Sequence, residues 1–154
     1  VNFAPSRAKG YRNFANKIWN ASRFVLMQIE GKNCGDKKNI KLLERDQKDL
    51  AELKGLVKKV TSYLENYQFS QAGDALYHYF WHTFADVTIE KNKGRLASGG
   101  EDGKAACFVL WQSLRALLIM LHPFMPFVTE TIWQELPPKL KGKEKFLISA
   151  SWPK

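Results

Sequence analysis

The longest run of apolar residues lies in the second half of the chain, from 108 to 121. It is apolar on nearly every helical face, and only Gln112, Ser113 and Arg115 interrupt it. A helix that is hydrophobic all round packs among other helices rather than on a surface. The three polar residues also break the run well short of the roughly 20 residues that a bilayer requires. The segment therefore predicts a buried central helix and not a membrane span.

Prolines after this segment predict a sharp bend and a second helix. His122-Pro123 ends the buried central helix, because proline has no amide donor and disfavours helical geometry in the residue before it. Pro126 suits the first turn of the next helix, where its missing N–H would have no partner anyway. Apolar residues recur there at helical spacing, at Val128, Ile132, Trp133 and Leu136. We predict that the rest of the chain packs against this bent pair, over 104–136.

The first part of the chain predicts a long amphipathic helix, from a cap at Ser6 to about Glu30. Its apolar positions are Tyr11, Phe14, Ile18, Ala21, Val25 and Ile29. Wound as an α-helix, its opposite side collects Arg12, Asn13, Asn16, Lys17, Asn20 and Arg23. Asparagine has a low helix propensity because its side chain competes for backbone hydrogen bonds. Three asparagines on one helix face therefore indicate a role other than helix stability.

Helical periodicity predicts two further helices, over about 47–67 and 70–93. The inward positions of the first are Leu50, Leu53, Val57, Val60, Leu64 and Tyr67. Those of the second are Ala72, Leu76, Tyr79, Phe80, Thr83, Phe84 and Val87. Between the helices, polar and glycine-rich composition predicts a loop at 31–46 and a flexible link at 94–103.

The last segment, 137–154, begins with two prolines and is rich in lysine, which predicts a basic extended tail. Within it, the apolar residues 146–148 could form a short extended strand or a clamp. We find no internal repeat, and 154 residues suffice for one domain with a real core. Residues 1–154 therefore predict a single all-α domain, an antiparallel four- to five-helix bundle.

Composition points to a negatively charged partner. The net charge of +9, with a pI near 9.6, favours nucleic acid first and an acidic membrane surface second. The alternative is a basic surface with no such role.

Cys34 and Cys107 share no metal or redox spacing, and the start of the chain lacks the apolar region of a signal peptide. We therefore expect reduced thiols and a cytoplasmic protein.

Catalytic signatures are absent from the sequence. His78 and His82 have a spacing that can hold zinc, but Tyr79 stands where a zinc protease needs glutamate. The glycines lack the strand-to-helix context of a phosphate-binding loop, and no carboxylate pair converges. We predict no catalytic residue and no metal site, and a protein that performs no chemistry by itself.

The polar side of the first helix carries the most informative chemistry. Arginine and lysine bind phosphates, and asparagine can both give and accept hydrogen bonds at a base edge. Single-stranded RNA loops offer splayed bases to such groups. The alternatives are a solvated face or one paired with acids of a neighbouring helix, and the residues alone leave these open.

Three segments resemble the anticodon-binding domain of valyl-tRNA synthetases, in order and spacing. They are YRNFANKIWNASRF at 11–24, FSQAGDALYHYFWHTFAD at 69–86 and LHPFMPFVTE at 121–130. The likeness covers about residues 11–136. The asparagine-rich helix and the proline elbow are typical of the branched-chain synthetases of class Ia, and isoleucyl- and leucyl-tRNA synthetases have similar domains. The choice of valine follows from NFANKIWN at 13–20. The family often has Trp-Tyr where Val87-Thr88 stand here, so an aromatic contact there is not expected.

The resemblance implies a fragment of a larger ligase that uses ATP and magnesium to esterify valine to its tRNA. The family's catalytic signatures and editing domain are missing from these residues, so no cofactor is expected in this part. The implied partners are the tRNA anticodon stem-loop and the catalytic and editing domains of the same polypeptide. The ligase is expected to be a monomer that does not bind a membrane. The expected tRNA-binding residues are Arg12, Asn13, Asn16, Lys17, Asn20, Arg23, Lys91, Lys93 and Arg95. Outside this family, the alternative is a helical protein-interaction module.

Overall fold

The computed structural model describes residues 5–30, 34 and 40–154, and the side chains of these residues except 5–8 and 139. Its elements are α1 Pro5–Ile29, α2 Glu44–Glu65, α3 Phe69–His78, the π-helical segment π1 Tyr79–Ile89, α4 Glu90–Ser98, α5 Gly100–Leu121, α6 Pro126–Glu135, α7 Pro138–Lys141 and a 3₁₀ turn Leu147–Ser149. Segments α3, π1 and α4 follow without a break and form one rod. The predicted all-α bundle is confirmed.

Helix α5 lies at the centre of the bundle, as the apolar run predicts. It contacts α1, α2, α4 and α6, and nearly all its residues after Lys104 are buried. By length and hydropathy it could cross a membrane, yet 83% of its most apolar window is buried inside the bundle. Successive long helices run antiparallel. Arg95, near the end of the rod, pairs with Asp46 at the start of α2.

Helix α1 presents to the core the face that its apolar period predicts, with one exception. Phe14, Ile18, Ala21, Val25 and Ile29 are buried. Tyr11 is 69% exposed, so its predicted inward position is wrong. The aromatic contacts of α1 are made one turn later, where the Phe14 ring lies 4.7 Å from that of Tyr77 and 5.9 Å from that of Phe80. The helix begins at Pro5, so Ser6 lies within it rather than before it.

Helix α2 begins at Glu44, three residues before the predicted start. The Asp46 carboxylate accepts a hydrogen bond of 2.9 Å from the Leu43 N–H and so satisfies a free donor at the helix start. The helix ends at Glu65, and Tyr67, predicted to point inward, is exposed with a φ of 58°. Half of the predicted 31–46 loop, residues 31–33 and 35–39, lies outside the described residues.

The rod buries every fourth residue along its whole length. These residues are Ala72, Leu76, Phe80, Phe84, Thr88, Asn92 and Leu96. In a regular α-helix such a row drifts around the axis, but π-helical hydrogen bonds span five residues and widen each turn, which keeps the row in line. Val87, predicted to be buried by the α-helical period, is therefore half-exposed, and Ala85, Thr88 and Ile89 are buried in its place.

The predicted flexible link at 94–103 is wrong. The rod continues through Ser98, and the chain turns at Gly99 and Gly100, whose φ angles of 69° and 61° favour glycine. Gly103 is already inside α5. A Cβ there would lie 3.0 Å from the Arg95 carbonyl oxygen, so glycine permits the close approach of α4 and α5.

The proline elbow is confirmed. Helix α5 ends at Leu121, and Pro126 is the first residue of α6. The Thr129 hydroxyl lies 2.9 Å from His122 Nδ1 and donates to the Met125 carbonyl, which ties the elbow to the first turn of α6. Ile132, Trp133 and Leu136 are buried against the core as predicted.

The basic tail is folded rather than extended. Beyond α7, Leu147 is buried in the 3₁₀ turn, and its N–H donates to Glu130 Oε2 over 3.0 Å. Trp152 Nε1 donates to the Thr61 hydroxyl over 2.8 Å, which fixes the last residues on α2. The described residues contain no strand, so the extended alternative at 146–148 does not hold.

Cys34 and Cys107 are joined, contrary to the expectation of reduced thiols. Their sulfur atoms lie 2.00 Å apart, their Cα atoms 5.5 Å apart, and both side chains are buried. The residues are 73 positions apart, so their spacing in the sequence could not reveal the pair.

Candidate nucleic-acid interface

One side of α1 faces solvent along most of its length. We call it the α1 polar face; it consists of Arg12, Asn13, Asn16, Asn20 and Arg23, with Lys17 at its edge. All but Lys17 are exposed, because the opposite side of the helix is packed on α5, α6 and the rod. Within the described part of the chain, no carboxylate lies within 4.0 Å of the guanidinium of Arg12 or Arg23. The face therefore offers cationic and carboxamide groups to a ligand.

Lys17 differs from the rest of the α1 polar face because it is held by the rod. Its Nζ lies 2.7 Å from Asp86 Oδ1 and 5.4 Å from the centre of the Trp81 ring. A lysine with these two contacts fixes α1 on π1. It lies at the edge of the face, and its charge is already compensated by Asp86.

The second predicted cluster lies on α4, where each of its charges is paired with an acid. We call Lys91, Lys93 and Arg95 the α4 basic cluster. Lys91 pairs with Asp49, and Lys93 pairs with Glu90 over 2.7 Å. Lys93 Nζ also lies 5.5 Å from the centre of the Phe24 ring. The lysines remain partly exposed, but their charges face acids.

Arg95 is buried, with 8% of its surface exposed. Its guanidinium donates to Asp46 over 2.6 and 3.0 Å, to Asn92 over 2.6 Å and to Asp102 over 2.9 Å. Burial alone lowers the pKa of an arginine, but the hydrogen bonds with Asp46 and Asp102 outweigh it and raise the pKa of Arg95. The predicted contact of Arg95 with phosphate does not fit this placement, and we leave it out of the candidate interface.

A cleft between α1 and α6 adjoins the α1 polar face. It has a volume of about 530 Å³. We call it the α1/α6 cleft; it is lined by Trp19, Arg23, Leu26, Met27, Glu30, Ile132, Glu135, Leu136, Pro137 and Pro138. Arg23 belongs to both the cleft and the face, so the two surfaces are continuous. In the sequence, Trp19 flanks the apolar side of the first helix, which favours a core position over base stacking. The cleft beside it becomes apparent only from the packing of α6 on α1.

The histidine pair on the rod is not part of a larger group of metal-ligating side chains within the described chain. The rings of His78 and His82 lie 5.7 Å apart, both exposed, and His82 Nδ1 is 3.7 Å from Asp86 Oδ2. Among the residues that the structure describes, no group of three or more His, Cys, Asp or Glu side chains could hold a metal ion.

Comparison with known sequences places this bundle in a class of RNA-binding domain. Residues 46–154 match the sequence profile of the anticodon-binding domain of tRNA ligase, and the chain belongs to that family. The match covers the bundle from α2 onward, and α1 lies before it.

The whole chain, α1 included, is similar to valine–tRNA ligases. It is 42% identical over 154 residues to that of Carboxydothermus hydrogenoformans, which covers 100% of this chain and 17% of the relative. It is 44% identical over 140 residues to that of Geobacter sulfurreducens, covering 89% and 16%, and 41% over 153 residues to that of Thermotoga maritima, covering 99% and 17%. The chain thus spans about a sixth of the length of these relatives.

Proposed function

We propose that this chain is the anticodon-binding domain of a valine–tRNA ligase and that its α1 polar face contacts the anticodon loop of the tRNA. The observation that carries the proposal is the α1 polar face itself. Two arginines and three asparagines are exposed along one side of a helix whose other side is core. A net charge of +9 would attract the polyanion to this domain.

The two residue types would divide the work of recognition. Arg12 and Arg23 would contact phosphates, which positions the RNA without reading its sequence. The carboxamides of Asn16 and Asn20 can each donate and accept, so they would read base edges. In a valine anticodon, the last two bases are A and C, and both present an amino donor and a ring-nitrogen acceptor. Asn13 and Lys17 lie at the edge of the face and would contribute less.

Selection of valine tRNA is part of the proposal. The similar proteins described above are valine–tRNA ligases, and their similarity extends through α1. Isoleucyl- or leucyl-tRNA specificity is the alternative within the family, and charging assays of the intact ligase would separate the three.

The reaction would be performed by other parts of the same polypeptide. The parent ligase would use ATP and magnesium to attach valine to the tRNA, in the cytoplasm and as a monomer. Its catalytic and editing domains would be the intramolecular partners of this bundle. The role of the described residues would be to hold the anticodon arm while the acceptor end is charged elsewhere.

The experiment is a binding titration with two RNA hairpins, one carrying a valine anticodon and one with the last two anticodon bases changed. We expect tighter binding of the valine hairpin, by about tenfold or more, because mismatched edges cost about 1–3 kcal/mol each. Arg12→Ala and Arg23→Ala should weaken both hairpins. The matched control is Arg45→Ala, an exposed arginine that pairs with Asp102 on another side of the bundle. Equal affinity of the wild-type chain for both hairpins would refute base reading, and an effect of Arg45→Ala equal to that of Arg12→Ala would refute the assignment of the face.

A further inference from the structure

We infer that the α1/α6 cleft receives one unstacked base of the anticodon loop and that the carboxylates at its rim select a base with an amino group. The inference rests on the proposed function, because the loop bound along the α1 polar face would be the source of the base. It adds to the α1 polar face a second recognition site, which is built by α1 together with α6.

The shape of the cleft suits a planar, largely apolar ring. Trp19 and Leu26 are half-buried and packed against the core, so they form a firm apolar wall. Pro137, just after α6, lines the cleft with them. The volume of about 530 Å³ is within the range of small-ligand sites, roughly 300–1,000 Å³. The cleft is therefore large enough for one planar base.

Trp19 provides the main attraction for the base, through stacking. Bases of single-stranded RNA stack on aromatic side chains and gain roughly one to two orders of magnitude in affinity for each stacked base. Because Trp19 is held by the core, little ordering of its side chain would oppose stacking. Met27, 67% exposed beside it, provides a polarisable and adaptable side chain at the rim.

The rim of the cleft provides the selectivity. Glu30 on the α1 side and Glu135 on the α6 side are exposed carboxylates that line it. A carboxylate only accepts hydrogen bonds, so it favours a base edge with an amino donor, such as N4 of cytosine or N6 of adenine. Uracil presents the O4 oxygen at that position and would be repelled. Arg23, on the same rim, would compensate the adjacent phosphate.

The experiment measures the affinity of a panel of hairpins, in which each loop base in turn is replaced by uracil. Binding is measured for the wild-type chain and for the double variant Glu30→Gln/Glu135→Gln. In the wild type, we expect the replacement at one position to weaken binding about tenfold. The glutamine variant should reduce that penalty to less than about threefold, because its amide can also donate to O4. Penalties at the other positions should not change. Glu65→Gln, an exposed glutamate at the end of α2, is the matched control.

A second variant tests stacking without relying on charge. Trp19→Leu should weaken the valine hairpin about tenfold or more, and Trp19→Phe should restore most of the affinity. Thermal unfolding followed by circular dichroism distinguishes this from a loss of fold, because the two variants should unfold at similar temperatures.

The outcomes separate the inference from the proposed function. Hairpin binding could depend on Arg12 and Arg23 while the glutamine variant keeps the wild-type penalties and Trp19→Leu binds normally. That result would refute the base site in the cleft and leave the proposed role of the α1 polar face intact. If no hairpin binds, or if binding does not depend on Arg12 and Arg23, both the base site and the proposed function are refuted.

Discussion

The α1 polar face and the α4 basic cluster have similar side chains but different surroundings. Both place cationic residues on a helix, and the sequence predicts RNA contacts for both. On α1, Arg12 and Arg23 face solvent. On α4, Arg95 is buried between Asp46 and Asp102, and each lysine meets an acid. The charges of the α4 basic cluster are compensated by acids of the fold. Among the described residues, the guanidinium groups of Arg12 and Arg23 have no such carboxylate partner.

The position of the acids, and not the number of cations, therefore decides which cluster can bind a polyanion. A buried arginine requires a paired carboxylate because desolvation of an isolated charge is costly. The acids that pair with Arg95 come from α2 and α5, and the α2 acid is distant in the sequence. The two clusters should consequently respond in opposite ways to substitution, one in folding and the other in RNA binding.

The largest expected effect is on folding. Arg95→Met would leave the fully buried Asp46 carboxylate without its cation. Removal of one partner of a buried pair costs about 3–5 kcal/mol in the free energy of unfolding. Urea denaturation measures this loss of stability. Arg12→Ala, on the exposed α1 polar face, should change stability by no more than about 0.5 kcal/mol. A loss below about 1 kcal/mol for Arg95→Met would contradict the structural role of the α4 basic cluster.

The next effect is on RNA affinity and its dependence on salt. The double variant Arg12→Ala/Arg23→Ala should weaken hairpin binding roughly tenfold to a hundredfold. It should also reduce the slope of log affinity against log salt by about 0.7 for each phosphate that is no longer neutralised, as for single strands. The comparison variant is Lys91→Ala/Lys93→Ala, which removes the same charge from α4. If both double variants lower the slope equally, the two clusters do not differ in function.

A smaller and more selective effect is expected for the asparagines. Asn16→Ala and Asn20→Ala should each cost about 1–3 kcal/mol with the valine hairpin and much less with an altered anticodon. Their removal should not destabilise the fold, because alanine is the better helix former on an exposed face. Equal losses for both hairpins would show that the asparagines contact the backbone and not the bases.

The smallest effect concerns pH. The hydrogen bond from Arg95 lowers the pKa of the Asp102 carboxyl in the folded state. A lowered pKa stabilises the fold above the unfolded value of about 4, and this contribution is lost as pH falls through the folded value. Asp102→Asn should therefore flatten part of the decline in urea midpoint below about pH 4. An unchanged acid dependence would show that Asp102 does not contribute to it.

Much of the fold follows from local pattern. The all-round apolar run predicts the central α5, and Pro123 and Pro126 predict the elbow, because both signals act within a few residues. Helix period also predicts the buried side of α1 from Phe14 onward. Local chemistry likewise predicts the exposure of the α1 polar face, since a helix with one apolar side turns the other to water.

The remaining features depend on contacts between distant residues. The π-helical winding that exposes Val87 is set by packing of the rod, and an α-helical period cannot anticipate it. Glycines at 94–103 suggested flexibility, but Gly103 serves the close approach of two helices. The burial of Arg95 depends on Asp46, 49 positions away along the chain. The α1/α6 cleft exists only because the segments around Trp19 and Glu135 meet.

The most direct test of the α1 polar face is an NMR titration that follows the side-chain amide signals of asparagine as the valine hairpin is added. We predict large shifts for the carboxamides of Asn16 and Asn20. The internal control is Asn66, whose amide donates to the Ser62 carbonyl over 2.7 Å at the end of α2 and should not shift. If the hairpin binds while Asn16 and Asn20 stay unperturbed, the assignment of the α1 polar face to anticodon recognition is contradicted.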